Sequence, residues 1–161
     1  MNNSFLSNIK IISGGQTGVD IAALDFALEN KIPCGGWCPK GRINEDGLIP
    51  DKYPLSETKS SEYNERTEMN IKDSDGTLVL YSENIDKGTK FTLKRAMELQ
   101  KPFFSIDIKN DLDSKSIKQW IKTYNIKTIN IAGPRESSSP GIYKFVYEFL
   151  KTNNFLFGHS I

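Results

Sequence analysis

Four short apolar runs, IKIIS at 9–13, GTLVLYS at 76–82, PFFSID at 102–107 and TINIA at 128–132, each give way to a stretch with helical spacing. The helical stretches cover 17–30, 89–100, 114–124 and 140–152. A strand that hands over to a helix before the next strand begins cannot close a hairpin, so successive strands run parallel with helices over the sheet. With a shorter element near 32–34, the expected fold class is α/β, with a mainly parallel sheet of about five strands. The apolar stripes expected to face the sheet are Val19, Ala22, Ala23, Phe26 and Ala27 in the first helix and Ile117, Trp120, Ile121 and Tyr124 in the third. Ile142, Phe145, Val146, Phe149 and Leu150 form the stripe of the last helix, and Phe91, Leu93, Ala96, Met97 and Leu99 make the second helix broadly apolar.

At 161 residues the chain has the length of one domain and can build a real core. Its 21 Lys and Arg against 20 Asp and Glu leave a net charge of +1, unlike a protein that coats nucleic acid. No run approaches the ~18 apolar residues of a membrane span, and the start, MNNSFLSNIKII, lacks the pattern of a signal peptide. The expected setting is the cytoplasm, with neither nucleic acid nor membrane as partner. Cys34 and Cys38 are the only cysteines, too few for a disulfide scaffold or a four-thiolate zinc site. Cys34 is expected to be buried and Cys38 to lie in a loop. His159, the one histidine, reads as a tail residue.

Residues 35–60 break the strand–helix rhythm. The 22 residues from Pro33 to Pro54 hold four of the seven prolines and four of the twelve glycines. Structureless loops beyond about 12–15 residues are uncommon in compact domains unless they serve a function. Trp37, Cys38, Ile49, Tyr53 and Leu55 can pack, so an ordered loop is expected. Lys40 and Arg42 are its cations that could close over an anionic ligand.

Three strand-to-helix junctions carry candidate chemistry. In Ser13-Gly14-Gly15-Gln16-Thr17-Gly18-Val19-Asp20, glycines allow a tight turn and close backbone approach, and the helix start offers N–H groups and a positive dipole end. Thr17 can cap the helix or donate to an anion. The spacing is neither the dinucleotide GxGxxG nor the P-loop pattern. In Gly133-Pro134-Arg135-Glu136-Ser137-Ser138-Ser139, serines and a planar guanidinium precede the last helix. Asp86-Lys87-Gly88-Thr89 repeats the Gly/Thr theme more weakly. Between them, Tyr63, Arg66, Thr67 and Asn70 fall at i, i+3, i+4 and i+7 in a segment so polar that it is either wholly solvated or turned toward a site.

Taken together, the strings ISGGQTGVDIAALDFA, IPCGGWCPKGRINEDGLIPDKYPLSE, YNERTEMNIKDSDGTLVLY and INIAGPRESSSPGIY resemble the molybdenum-cofactor carrier family. GWCPKGR and RTEMNIKDSDGTL are its specific strings. The resemblance implies a Rossmann-like three-layer fold, in a superfamily shared with the cytokinin-activating phosphoribohydrolases. It implies a small anionic ligand as cargo, the molybdenum cofactor: a pyranopterin whose own dithiolene holds the metal and which ends in a phosphate. The implied role is to protect and carry that cargo without converting it. The implied site is Gly14, Gly15, Gln16, Thr17, Gly18, Arg66, Asn70, Gly88, Thr89, Gly133, Pro134, Arg135, Glu136 and Ser137, and the implied assembly is a homo-oligomer, a tetramer. Which loop takes the phosphate stays open at this level.

The alternative within the same superfamily is a nucleotide-binding protein or a phosphoribohydrolase. Those enzymes carry PGGxGTxxE with a catalytic glutamate, whereas this chain has DKGTKFT, placing Thr92 where the glutamate is expected. Threonine cannot act as a general acid or base at neutral pH, so Glu136 or Asp75 would have to serve instead.

Overall fold

Each expected strand-to-helix handover is present in the computed structural model, which describes residues 9–110 and 113–158. His159 lies outside the described residues. The order is β1 (Lys10–Ile12), α1 (Val19–Glu29), β2 (Cys34–Gly35), β3 (Trp37–Cys38), β4 (Ile43–Asn44), β5 (Gly47–Leu48), β6 (Ser56–Glu57), α2 (Tyr63–Asp73), β7 (Gly76–Tyr81), α3 (Lys87–Glu98), β8 (Phe103–Asp107), α4 (Ser114–Thr123), β9 (Thr128–Ala132) and α5 (Ile142–Thr152), followed by a 3₁₀ turn at Asn154–Phe157. The central sheet has the order β2-β1-β9-β7-β8, with every pairing parallel. The last strand in sequence therefore sits in the middle, between the first strand and β7. This is the Rossmann-like three-layer arrangement.

Alternation along the strands gives the sheet two unlike faces. Ile9, Ile11, Leu78, Leu80, Ile106, Ile129 and Ile131 join the buried stripes of α1, α4 and α5 in one large apolar cluster. The intervening residues Ile12, Thr77, Val79 and Asn130 are also buried, yet half of them are polar. Helices α2 and α3 pack against each other on this second side and touch the central strands there. Helix α3 buries Thr89, Thr92 and Ala96 rather than a row of large apolar side chains, and Met97 is exposed. The stripe of α5 is Ile142, Val146, Phe149 and Leu150; Phe145 falls one position outside that arc and is exposed, and Tyr124, at the end of α4 beyond its buried Ile117, Trp120 and Ile121, is exposed too, both contrary to the periodic expectation.

Residues 35–60 form an ordered loop with its own anchors. Cys38, Ile49 and Tyr53 pack with Leu24 of α1 in a second apolar cluster, with Leu55 and Cys34 at its border. Cys38 lies in the loop as expected and is fully buried there, whereas Cys34, expected to be buried, is only partly so. Burial raises the pKa of both, which keeps them protonated and unreactive. The guanidinium of Arg42 does not face a ligand. Its Nη1 donates to the Leu55 carbonyl at 3.0 Å, and its Nη2 donates to those of Pro50 and Tyr53 at 2.9 and 3.0 Å. One planar cation thereby ties the ends of the loop's second half together.

Arg42→Ala should remove these bonds at a cost of about 1–3 kcal/mol. Hydrogen exchange should quicken across 42–58 while the central strands keep their protection; unchanged exchange in the loop would refute the clamp.

Candidate functional site

A cleft of about 380 Å³ opens beside the carboxyl ends of β1, β7 and β9, between the Gly-rich turn, α2, the start of α3 and the loop after β9. Ligands in open parallel sheets bind at this edge, and the volume is that of a small-molecule site.

Three N–H groups of the turn after β1 are spent on the chain itself. The N–H of Gln16 donates to Asp20 Oδ2 at 3.1 Å, that of Thr17 to Gln16 Oε1 at 3.0 Å, and that of Val19 to the Pro134 carbonyl at 3.2 Å. Gly18 has φ +77°, and a Cβ there would lie 2.5 Å from the Pro134 carbonyl oxygen, so this crossing of two loops demands glycine. The Gly15 carbonyl accepts from Asn44 Nδ2 at 3.0 Å. Gly15, Thr17, Gly18 and Pro134 thus join the first turn to its neighbours and do not line the cleft.

The loop after β9 is closed by a carboxylate from the hairpin of β4 and β5. Glu45 accepts the Thr17 hydroxyl, the Ser137 N–H at 3.1 Å and the Ser137 hydroxyl at 2.5 Å, and its Oε2 lies 3.5 Å from Arg135 Nε. Burial works to raise the Glu45 pKa, but these hydrogen bonds prevail and hold it below the ordinary value. Glu45 therefore stays ionised where the sequence alone suggested a ligand's anion. Glu136 is spent likewise: its carboxylate accepts the N–H groups of Gly141 at 2.6 Å and Tyr143 at 3.0 Å, capping α5. Gly133 does line the cleft, and a Cβ there would meet the Leu80 carbonyl oxygen at 2.1 Å. Lys40 is exposed and outside the cleft.

The third junction is different. Asp86 accepts the Thr89 N–H at 2.8 Å and the Thr89 hydroxyl at 2.6 Å, and Arg135 N–H donates to its other oxygen at 3.4 Å. Among the described residues, the N–H groups of Lys87 and Gly88 have no protein partner at the open start of α3. Lys87 and Arg135, both cationic residues, line the same cleft. The weakest of the three motifs in sequence thus keeps two adjacent donors open at a helix start.

Helix α2 turns Tyr63, Arg66, Thr67 and Asn70 into the cleft. Arg66 is 8% exposed; its Nη1 donates to the Gly14 carbonyl at 2.9 Å and lies 3.5 Å from Asp20 Oδ2. The guanidinium also sits 5.3 Å from the Tyr63 ring centroid. Asn70 spends both ends of its amide on the Trp37 backbone, accepting its N–H at 2.8 Å and donating to its carbonyl at 3.0 Å. It lines the cleft but positions the loop. On the outer side, Glu68 accepts from Arg95 at 2.9 Å and Lys72 at 2.6 Å, linking α2 to α3; these bonds bring its pKa down to about 2. Burial drives the Asp20 pKa up to about 6, against the opposing pull of the Arg66 charge.

Of the site residues expected from sequence, the cleft gathers Gly14, Gln16, Arg66, Asn70, Gly88, Thr89, Gly133 and Arg135. Asp20, Asn64, Lys87 and Asn130 also line it. The signal for Asn130 was present: in TINIA an asparagine interrupts an otherwise apolar strand between two isoleucines. Among the described residues no group of His, Cys, Asp and Glu could hold a metal ion, and no helix is long and apolar enough to cross a membrane.

The sequence profile of the Circularly permutated YpsA SLOG family matches residues 11–154. A crystal structure from Syntrophus aciditrophicus SB, described as a "putative molybdenum carrier protein", is 42% identical, with a TM-score of 0.86 over 91% of this chain and 94% of that one. No curated protein matches the chain.

Two predictions follow from the charges. Glu45→Ala should free Thr17 and Ser137, so that sulfate binds roughly three- to tenfold more tightly in calorimetry. Equal or weaker binding would show that these donors do not serve an external anion. Burial lifts the folded pKa of Asp20 above its ordinary value of 3.8, so its contribution to stability is full below that value and is lost as pH rises through about 6. Protonation also leaves the Arg66 charge uncompensated. Sulfate, whose own charge is constant in this range, should bind more tightly as pH falls from about 7 to about 5, and Asp20→Asn should flatten the profile.

Proposed function

The chain belongs to the circularly permutated YpsA SLOG family, and from that membership and the chemistry of its cleft we propose that it binds and carries the molybdenum cofactor, an anionic pyranopterin phosphate, without converting it. The observation that carries this reading is the pairing of an open helix start with a polar, ring-sized cleft: the free N–H groups of Lys87 and Gly88 beside two cationic side chains at one end, and the Tyr63 ring and amide side chains along the rest. A phosphate fits the first, since N–H groups, the helix dipole and the cations all favour negative charge there. A pterin fits the second, with the Tyr63 ring as a stacking surface and Asn64 and Thr67 within the lining to meet polar edges. The metal comes ligated by the cofactor's sulfurs, so the protein need not supply ligands. The likeness to the 42% identical structure described as a "putative molybdenum carrier protein" supports a cargo that contains molybdenum.

The second reading, hydrolysis of a nucleotide, has one observation in its favour. Asp20 is a buried carboxyl facing the cleft with a pKa of about 6, suited to proton transfer near neutrality. The other acids named for that role are committed elsewhere. Glu136 caps α5, and Asp75 accepts the N–H groups of Lys127 and Thr128 at 2.9 Å, at the opposite edge of the sheet. Thr92 donates its hydroxyl to the Gly88 carbonyl at 3.0 Å.

Protein purified without oxygen should carry molybdenum and a pterin by elemental analysis and mass spectrometry, and should bind added cofactor saturably. Arg135→Ala and Lys87→Ala should each weaken that binding roughly tenfold, by loss of a charge-assisted contact. Release of free base from nucleoside monophosphates, abolished by Asp20→Asn, would instead establish the hydrolase.

A further inference from the structure

Two amide side chains in the cleft are buried with one end unpaired. Gln16 is 7% exposed. Its Oε1 accepts the backbone N–H groups of Thr17 and Glu45, each at 3.0 Å. Backbone N–H groups only donate, so the oxygen is fixed on that side and the NH₂ is the end left over. Asn130 is 3% exposed, at the centre of β9. Its Nδ2 donates to Oγ1 of Thr77, its register partner on β7, at 3.2 Å. Neither Gln16 Nε2 nor Asn130 Oδ1 has a protein partner among the described residues, and neither is sealed from solvent; both residues line the cleft.

Asn130 is an unusual residue for its place in the fold. A central strand buried on both faces ordinarily carries β-branched apolar residues, as Ile129 and Ile131 do on the other face. The Oδ1 of Asn130, open to the cleft, adds nothing to the pairing of the sheet, so an apolar residue of similar size would serve the strand at least as well.

We propose that Gln16 Nε2 and Asn130 Oδ1 are a donor–acceptor pair that reads the ring edge of the ligand, one hydrogen bond in each direction. The matching edge offers a carbonyl or ring-nitrogen acceptor beside an N–H donor, as pterins and purines do. The pair defines the floor of the cleft, while the start of α3 takes the anionic end. The identity of the ring as a pterin rests on the carrier reading; the existence of the pair does not.

The test measures binding of a pterin monophosphate, GMP, AMP and inorganic phosphate to the full chain by calorimetry, with thermal unfolding recorded in parallel. Asn130→Leu, and Asn130→Leu combined with Thr77→Val, should weaken whichever ring-bearing ligand the unmodified protein prefers by roughly three- to tenfold, with inorganic phosphate changed less than about twofold. The double variant, with both polar partners replaced, should melt at or above the temperature of the unmodified protein. If the leucine variants do not fold, Asn130→Thr, which suits a strand and can still bond Thr77, should show the same selective loss. Parallel loss of ring ligands and phosphate, or a double variant that melts well below the unmodified protein, would make Asn130 structural and overturn the proposal. So would an unmodified protein that prefers no ring-bearing ligand over phosphate. Binding of a purine nucleotide but no pterin would end the pterin reading and leave the pair standing.

Discussion

The Arg66 guanidinium, buried between α2 and the Gly-rich turn, holds the walls of the cleft in place. It reaches the Gly14 carbonyl and Asp20 from one side and lies over Tyr63 on its own helix. Burying a cation is expensive unless it is paired and hydrogen-bonded, so the turn must supply acceptors, and it does. The same requirement explains Asp20: desolvation raises its pKa, Arg66 opposes that rise, and the pair sits near the balance point at which pH can change the charge of the cleft. Helix α2 is polar because its inner face meets this arrangement and not an apolar core.

A second constraint acts at every helix start. Unpaired donors need acceptors, and carboxylates of the chain serve several of them: Glu45 takes the Thr17 hydroxyl and the loop after β9, Glu136 the start of α5, and Asp86 that of α3. The Asp86 cap leaves neighbouring donors, those of Lys87 and Gly88, without a protein partner among the described residues, and no side chain caps the start of α2. Reading each Gly-rich junction as an anion site therefore overcounts. A junction becomes available to a ligand only where no distant acidic residue reaches it, and Glu45 is distant in sequence from both of the segments it joins.

What was legible from sequence follows this division. The βα alternation, the stripe of α1 and the packed loop are local or periodic, and the residues name them directly; the polarity of α2 was visible too, but not whether it met solvent or a site. The exposure of Met97, Tyr124 and Phe145 was not legible, since periodicity marks an apolar arc but not its edges or what faces it. Arg42 looked like a ligand cation because only the folded loop brings the carbonyls of Pro50, Tyr53 and Leu55 around it. Asn130 was visible as an anomaly in TINIA, but its meaning depended on which side of the sheet it faced.

The sequence by itself determined the parallel α/β class, the ordered loop and the family resemblance, because helix and strand periodicities and short motifs are encoded over a few consecutive residues. Only the tertiary structure decided which donors remain free. Hydrogen bonds from residues 28 to 119 positions apart consumed those of the first turn and the loop after β9, and the placement of β9 beside both β1 and β7 put a buried amide at the floor of the cleft. Satisfaction of polar groups is a property of the whole fold, so no local reading of the chain could supply it.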